Sequence, residues 1–390
     1  MPTTLVLALA AALTCSALLP ASFAASQSCA KRKPVEGDRR TLVLIDAHTG
    51  VVDRHFPDVD GYVEDIRGPV HGPVHVLAED GRGGWFIAGD FGCVGRSPAA
   101  GLAHLHRDGT LDRTWRPPST GRGSVIVLRS VGSTVYAGGR FGVEAIDAHT
   151  GALRWLTPID KDGNSRVRAI AANSGRVYVG GTFTTLSGQK HMAFAVLSPR
   201  TGRPVQWPAP KLVARPRWKA HVSIAALELW QGRLFLAGEA IARVNGENRP
   251  TIAQLNARTG AVTSWKPRVP GGSPAIGHVW RIMVSHGRVF TAGSRGIAVT
   301  DARSGAEDPL MRIAAGSTFA ASENVVYLGG GCPFFGFLSI EGSRRDNLAA
   351  LDLTTGHATG WAPRIATMVC ADSIAASPQH VLVSGVFESR

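Results

Sequence analysis

One five-residue turn recurs along the chain and limits the folds open to it. It reads Asp46-Ala47-His48-Thr49-Gly50, Asp147-Ala148-His149-Thr150-Gly151, Asn256-Ala257-Arg258-Thr259-Gly260 and Asp352-Leu353-Thr354-Thr355-Gly356, with degenerate copies ending at Gly109, Gly202 and Gly305. From Gly50 to Gly356 six intervals span 306 residues, a mean of 51. That period belongs to propeller blades rather than to helical solenoids. The count predicts seven units.

Two further signals keep the same period. Apolar strands end in glycine at Gly89, Gly138, Gly180, Gly238, Gly293, Gly329 and Gly385, and each follows another short strand such as Val167-Arg168-Ala169-Ile170. An aromatic residue followed by proline comes after the turn at Phe56, Trp115, Trp155, Trp207, Trp265 and Trp361, and the copy after Gly305 lacks it. Those tryptophans are expected to pack between blades rather than to stack on sugars. Each unit holds four strand-like pieces and no amphipathic helix, which predicts an all-β, seven-bladed β-propeller of four-stranded blades. The repeat array starts with the outer half of a unit, residues 41–56, and stops with an inner half, 373–387. The N-terminal outer strands are therefore expected to pair with the C-terminal inner strands and close the ring, burying blade faces that an open array would expose.

Composition agrees. With 44% apolar residues, 18% charged residues and 46 glycines, the chain is neither disordered nor a coiled coil. Residues 1–24 read as a secretory signal, with an apolar run from Leu5 to Leu19 and small residues before the cut. Residues 25–40 are an N-terminal extension, and 41–390 a single propeller. Beyond the signal no apolar run reaches the roughly 18 residues needed to span a bilayer. A secreted or extracytoplasmic bacterial monomer is expected.

Export makes the cysteines informative, because Cys29, Cys93, Cys332 and Cys370 remain after removal of the signal and its Cys15. An even number in an oxidising compartment predicts disulfides, of which four cysteines allow three connectivities. Neighbouring blades favour Cys332 with Cys370 and Cys29 with Cys93. No cysteine has a histidine at a spacing that marks a catalytic thiol.

The formal charge is +13, with only seven lysines among 42 basic residues. Such a chain attracts anionic cell-envelope polymers. No basic run interleaved with aromatics recurs, so no specific nucleic-acid role is expected. The residue after the leading apolar position of each first strand should line the mouth of the central channel. His75, Ile126, Arg168, Ser223, Trp280 and Asp372 fall there, with Arg168 suited to an anion and Trp280 to stacking. The spacing from strand glycine to turn glycine is 13 and 12 residues in two units but 20, 22, 22 and 27 in four others. These insertions fall on one face and are either a binding surface or merely elongated hairpins.

Gly180-Gly181-Thr182-Phe183-Thr184-Thr185-Leu186-Ser187-Gly188, followed by Leu197 to Gly202 and Trp207-Pro208, resembles the bacterial delta-sixty type of β-propeller repeat. That resemblance implies a secreted or surface-associated protein and transfers no catalytic residue. More loosely, the Leu-Asp strand, Thr-Gly turn and tryptophan resemble quinoprotein-type propellers, whose dehydrogenases bind pyrroloquinoline quinone. Those enzymes are typically eight-bladed and carry an adjacent cysteine pair that is absent here, so no cofactor is expected.

No phosphate loop, serine elbow or zinc motif is present. His104 and His106 alternate without a third ligand, and the carboxylates at Asp58, Asp60 and Asp65, or at Asp160 and Asp162, do not reproduce a calcium loop. No metal is expected. The sequence thus favours a secreted non-catalytic propeller that presents long loops to a partner protein or an anionic cell-envelope polymer. The alternative is an extracellular polysaccharide hydrolase or lyase at the channel mouth, where His75 or His278 beside an acid would be needed.

Overall fold

The structure is a computed structural model that describes residues 39–388, apart from 54, 58, 62–73, 100, 119–123, 161–162, 216–221, 268–277, 295, 309–315, 331–338, 342, 346, 364 and 366–367. Among the described residues there is no helix, and the strands form eleven antiparallel sheets. Seven of the sheets share one layout and are numbered here by their first strands: Val74–Glu79, Val125–Val131, Val167–Ala172, Ser223–Trp230, Val279–Ser285, Thr318–Ser322 and Met368–Ala376. Each of the seven glycine-terminated strands is the second strand of its sheet. The molecule is a propeller-type repeat protein.

First strands touch in chain order, the first with the second and so on to the seventh, and the seventh touches the first. In the seventh sheet the chain ends meet. Arg39–Asp46 pairs with His380–Glu388, with Leu42 opposite Ser384 and Asp46 opposite His380, so a segment near the start supplies the outer strands and one near the end the inner strands.

The fourth strand departs from expectation. It is a full strand in the second sheet, Leu153–Thr157, and two residues in the seventh, Val52–Asp53. In the other five it shrinks to one bridge each, such as Leu197 with Pro204 and Leu255 with Val262. Pro204 has no N–H to extend a ladder.

The seven turn glycines have φ between +69° and +79°, where a Cβ is strained. Space excludes one as well. At Gly109 a Cβ would collide with the Phe56 ring, and at Gly202 with that of Trp155. In each case the aromatic comes from the preceding sheet. The indole N–H groups complete this contact: Trp115 donates to the Asp147 carbonyl at 3.1 Å, Trp155 to Pro199 at 2.9 Å, Trp207 to Ala257 at 3.1 Å, Trp265 to Asp301 at 2.9 Å and Trp361 to Asp46 at 2.9 Å. Each tryptophan thus locks its sheet to the turn of the next.

The junction after the fifth sheet, which lacks the aromatic, is bridged differently. Arg288 donates from Nη1 to the Leu353 carbonyl at 2.7 Å while its Nε meets Asp308 at 2.5 Å. A guanidinium on a strand does the work of the missing indole.

The four insertions are hairpins. They pair Phe91–Val94 with Ser97–Pro98, Thr185–Leu186 with Gln189–Lys190, Ile241–Val244 with Glu247–Asn248, and Ser339–Ile340 with Ser343–Arg344. Sheets that diverge outward leave a wedge between neighbours, and the hairpins fill it. Val94 packs with Leu42 and Leu44 of the seventh sheet, Leu186 with Tyr136 and Trp155 of the second, Val244 with Phe194 of the third, and Ile340 with Phe290 of the fifth. The insertions therefore bury their apolar sides rather than standing free on one face, while polar residues such as Gln189, Lys190, Arg243, Glu247 and Asn248 are exposed. The elongated-hairpin reading is the one the packing supports.

Candidate functional site

In six of the seven first strands an extra residue interrupts the ladder beside the glycine end of the second strand, and the first strand of the seventh sheet has a further shift at Val369. The extra residue is His75, Ile126, Arg168, Ala225, Trp280 and Asp372 in turn, and the sixth strand pairs without a shift. A bulge bends its strand and re-aims a side chain, and bulges gather at barrel rims and sites. His75, Arg168, Trp280 and Asp372 thus occupy equivalent bulges. Ser223 lies two residues before its bulge, which Ala225 fills.

The bulge side chains are tied to their surroundings. His75 Nε2 lies 2.9 Å from Asp90 Oδ2, and this contact holds the Asp90 carboxyl below the usual carboxylate range. Arg168 Nη1 donates to Glu239 at 3.0 Å and to the Ser223 hydroxyl at 3.1 Å, reaching from the third sheet to the fourth. Trp280 Nε1 donates to the Ser317 carbonyl at 3.3 Å. Asp372 accepts through its backbone carbonyl from Arg281 Nη2 at 2.7 Å.

Two arginines that the sequence did not single out reach further. Arg129 of the second sheet donates to Glu228 of the fourth at 2.7 Å, passing the third. The charge of Glu228 raises the Arg129 pKa, and burial pushes the Glu228 carboxyl up. Arg281 of the fifth sheet reaches Asp372 of the seventh, and its pKa is lowered by burial. Such pairs need a space onto which several first strands face, which strand-by-strand reading does not reveal.

A third group stands away from the bulges. His104 bonds Asp80 through Nε2 and Asp112 through Nδ1, both at 3.0 Å. Its ring lies 4.7 Å from Phe86 and 6.1 Å from Trp115. Burial alone would lower the His104 pKa, but the two carboxylates outweigh it and raise it. The partners are 24 and 8 residues away in sequence, so no local motif announces the trio. No cluster of three or more metal-ligating side chains suited to an ion occurs among the described residues. His48 and His149 support their turns through backbone N–H groups, which donate to Asp46 and Asp147.

Cys93 is buried and disulfide-bonded. Cys29 and Cys332, and the side chain of Cys370, lie outside the described residues.

Residues 106–262 match a family model described as outer membrane protein assembly factor BamB, which supports a resemblance to quinoprotein-like propellers. No curated protein matches the sequence. Among solved structures, the computationally designed Ika8 protein is 14% identical, with 91% of this chain and 98% of that one covered and a TM-score of 0.51. A chain of the mitotic checkpoint complex is 13% identical, with 92% and 96% covered and a TM-score of 0.50. The extracellular domain of the one-component system BT4673 from B. thetaiotaomicron is 10% identical, with 85% and 40% covered and a TM-score of 0.48. At such identities the likeness is one of fold.

Proposed function

We propose that the protein is a secreted, monomeric, non-catalytic seven-bladed propeller of the delta-sixty type, closed by its N-terminal outer strands. Its channel mouth binds an anionic cell-envelope polymer, with a partner protein as the other candidate ligand. The ring of bulges that carries His75, Arg168, Trp280 and Asp372 is the observation behind this reading. It combines a guanidinium and an indole in a chain of charge +13, the composition that holds a polyanion with sugar rings. Ring closure is supported by the pairing of Arg39–Asp46 with His380–Glu388 and by contact between the first and seventh inner strands. The description of the matched family as an assembly factor of the outer membrane supports binding at the envelope. For the cysteines we propose Cys93 with Cys29 and Cys332 with Cys370.

Hydrolysis or lyase chemistry is less well supported. His75 beside Asp90 supplies one acid–histidine pair, yet glycoside cleavage needs two facing carboxyl groups. Glu239 is occupied by Arg168.

Purified protein applied to glycan and cell-wall polymer arrays, with a parallel assay for released product, tests the proposal. Retention of an anionic polymer, weakened by Arg168→Ala and Trp280→Ala without product release, is the expected result. Product release, or binding indifferent to both substitutions, would refute it.

A further inference from the structure

At the opposite end of the sheets from the bulges, a cleft of about 310 Å³ opens between the sixth and seventh sheets. Tyr327 and Trp361 form its floor, with ring centroids 5.0 Å apart at 70°. Glu323, His48, Thr359 and Pro378 stand around it, and among the described residues no lysine or arginine lines it.

The charge of the cleft is unusual for this chain. Glu323 sits at the tip of the turn between first and second strands, where the second, fourth and fifth sheets place Gly132, Gln231 and His286. Its carboxylate makes no hydrogen bond or ion pair with another described residue. Burial, with the nearby charges of Glu323 and Asp46, pushes the Tyr327 phenol up to about 12. A negative site beside two aromatic rings, in a protein with 13 excess positive charges, selects against anions. A single carboxylate is too little to strip and hold a metal ion. An apolar ligand would cover the Glu323 charge without compensating it.

We propose that this cleft binds a primary ammonium group at the end of a short aliphatic chain. Glu323 is its counter-ion, and the Tyr327 and Trp361 rings flank the methylenes. The carboxylate supplies a charge-assisted hydrogen bond, and the small part of each largely buried ring that reaches the cleft gives the methylenes an apolar contact. The volume suits a lysine side chain or a free alkylamine and lies at the small end of ligand sites.

Calorimetric titration of the purified protein tests this with two matched pairs of probes: n-butylamine against n-butanol, and the peptide Gly-Lys-Gly against its Nε-acetylated form. The charged member of at least one pair is expected to bind one to one, with its neutral partner about tenfold weaker or silent. Preference for butylamine identifies a free amine as the ligand, and preference for the peptide identifies a protein partner. Glu323→Gln lies on an exposed turn and should leave the melting temperature unchanged while weakening binding about tenfold. Glu247→Gln, on an exposed hairpin tip, should change nothing. Equal binding of charged and neutral probes, no binding of either amine, or full affinity in Glu323→Gln would each overturn the proposal.

Discussion

The indole N–H of Trp361 donates to the backbone carbonyl of Asp46, which lies 315 residues earlier in the chain. The contact repeats those of Trp115, Trp155, Trp207 and Trp265 with the turns of their next sheets. The junction between the sixth sheet and the outer strand Arg39–Asp46 of the seventh is therefore secured in the same way as those four junctions. Tyr327 adds a second lock there, its hydroxyl donating to the Ala47 carbonyl at 3.1 Å.

Trp361→Phe keeps most of the buried ring and removes the donor. The Asp46 carbonyl then loses a partner, and the protein should be destabilised by about 1–2 kcal/mol. Trp361→Ala should cost about 3–5 kcal/mol, because it also opens a cavity. Urea unfolding of both variants checks the order.

Arg288→Met should destabilise by about 2–3 kcal/mol, since it strips the guanidinium from a largely buried Asp308 and from the Leu353 carbonyl. Arg288→Lys should recover only part, because a single ammonium cannot replace the planar fork. Thermal melts of the two variants are the measurement. Equal stability of the arginine and methionine forms would show that this junction needs no polar bridge.

The trio Asp80, His104 and Asp112 predicts a pH dependence with two limbs. Burial works against the charged form of all three, but hydrogen bonds prevail: the two carboxylates raise His104 from 6.5, His104 with the Arg82 and Gly84 backbone lowers Asp80 from 3.8, and Thr114 followed by His104 lowers Asp112 from 3.8. The histidine contribution is complete below pH about 6.5 and is lost as pH rises through the folded pKa. The aspartate contribution is present above about pH 4 and is lost as pH falls through the lowered values. His104→Gln should flatten the fall in melting temperature on the alkaline side of pH 6.5. An unchanged slope would assign that limb to other groups.

The hairpins predict opposite effects at two neighbouring positions. Leu186→Ala removes a fully buried side chain from the wedge beside Trp155 and should cost about 2–5 kcal/mol. Gln189→Ala, on the exposed return strand, should stay within about 0.5 kcal/mol. If the hairpin were a free loop, both would be neutral.

What the sequence made legible follows from where the physics is local. A turn that requires φ near +70° writes itself as glycine, so Gly50, Gly109, Gly151, Gly202, Gly260, Gly305 and Gly356 could be found by period alone. His75, Arg168, Trp280 and Asp372 were picked out by their offset behind an apolar residue, but that they are bulges appears only in the strand pairing. Ser223 missed because the fourth sheet's first strand begins two residues before its bulge, where those carrying His75, Arg168 and Trp280 begin one residue before theirs. The insertions were legible as a binding surface or as elongated hairpins; the sequence did not decide between them, because their destination is a gap between two sheets and nothing within Thr185 to Lys190 encodes that gap. Arg129 with Glu228 joins residues 99 apart, and Arg288 replaces a tryptophan with no likeness in sequence. Both required the assembled sheets.

Unfolding of a chain that lacks residues 41–56 tests the ring most directly. Without them the seventh sheet loses both outer strands, and Trp361 and Tyr327 lose the carbonyls of Asp46 and Ala47. The expected result is loss of the single cooperative transition, with a broad melt beginning well below that of the intact protein. A sharp transition at the original temperature would contradict a ring fastened by its two ends.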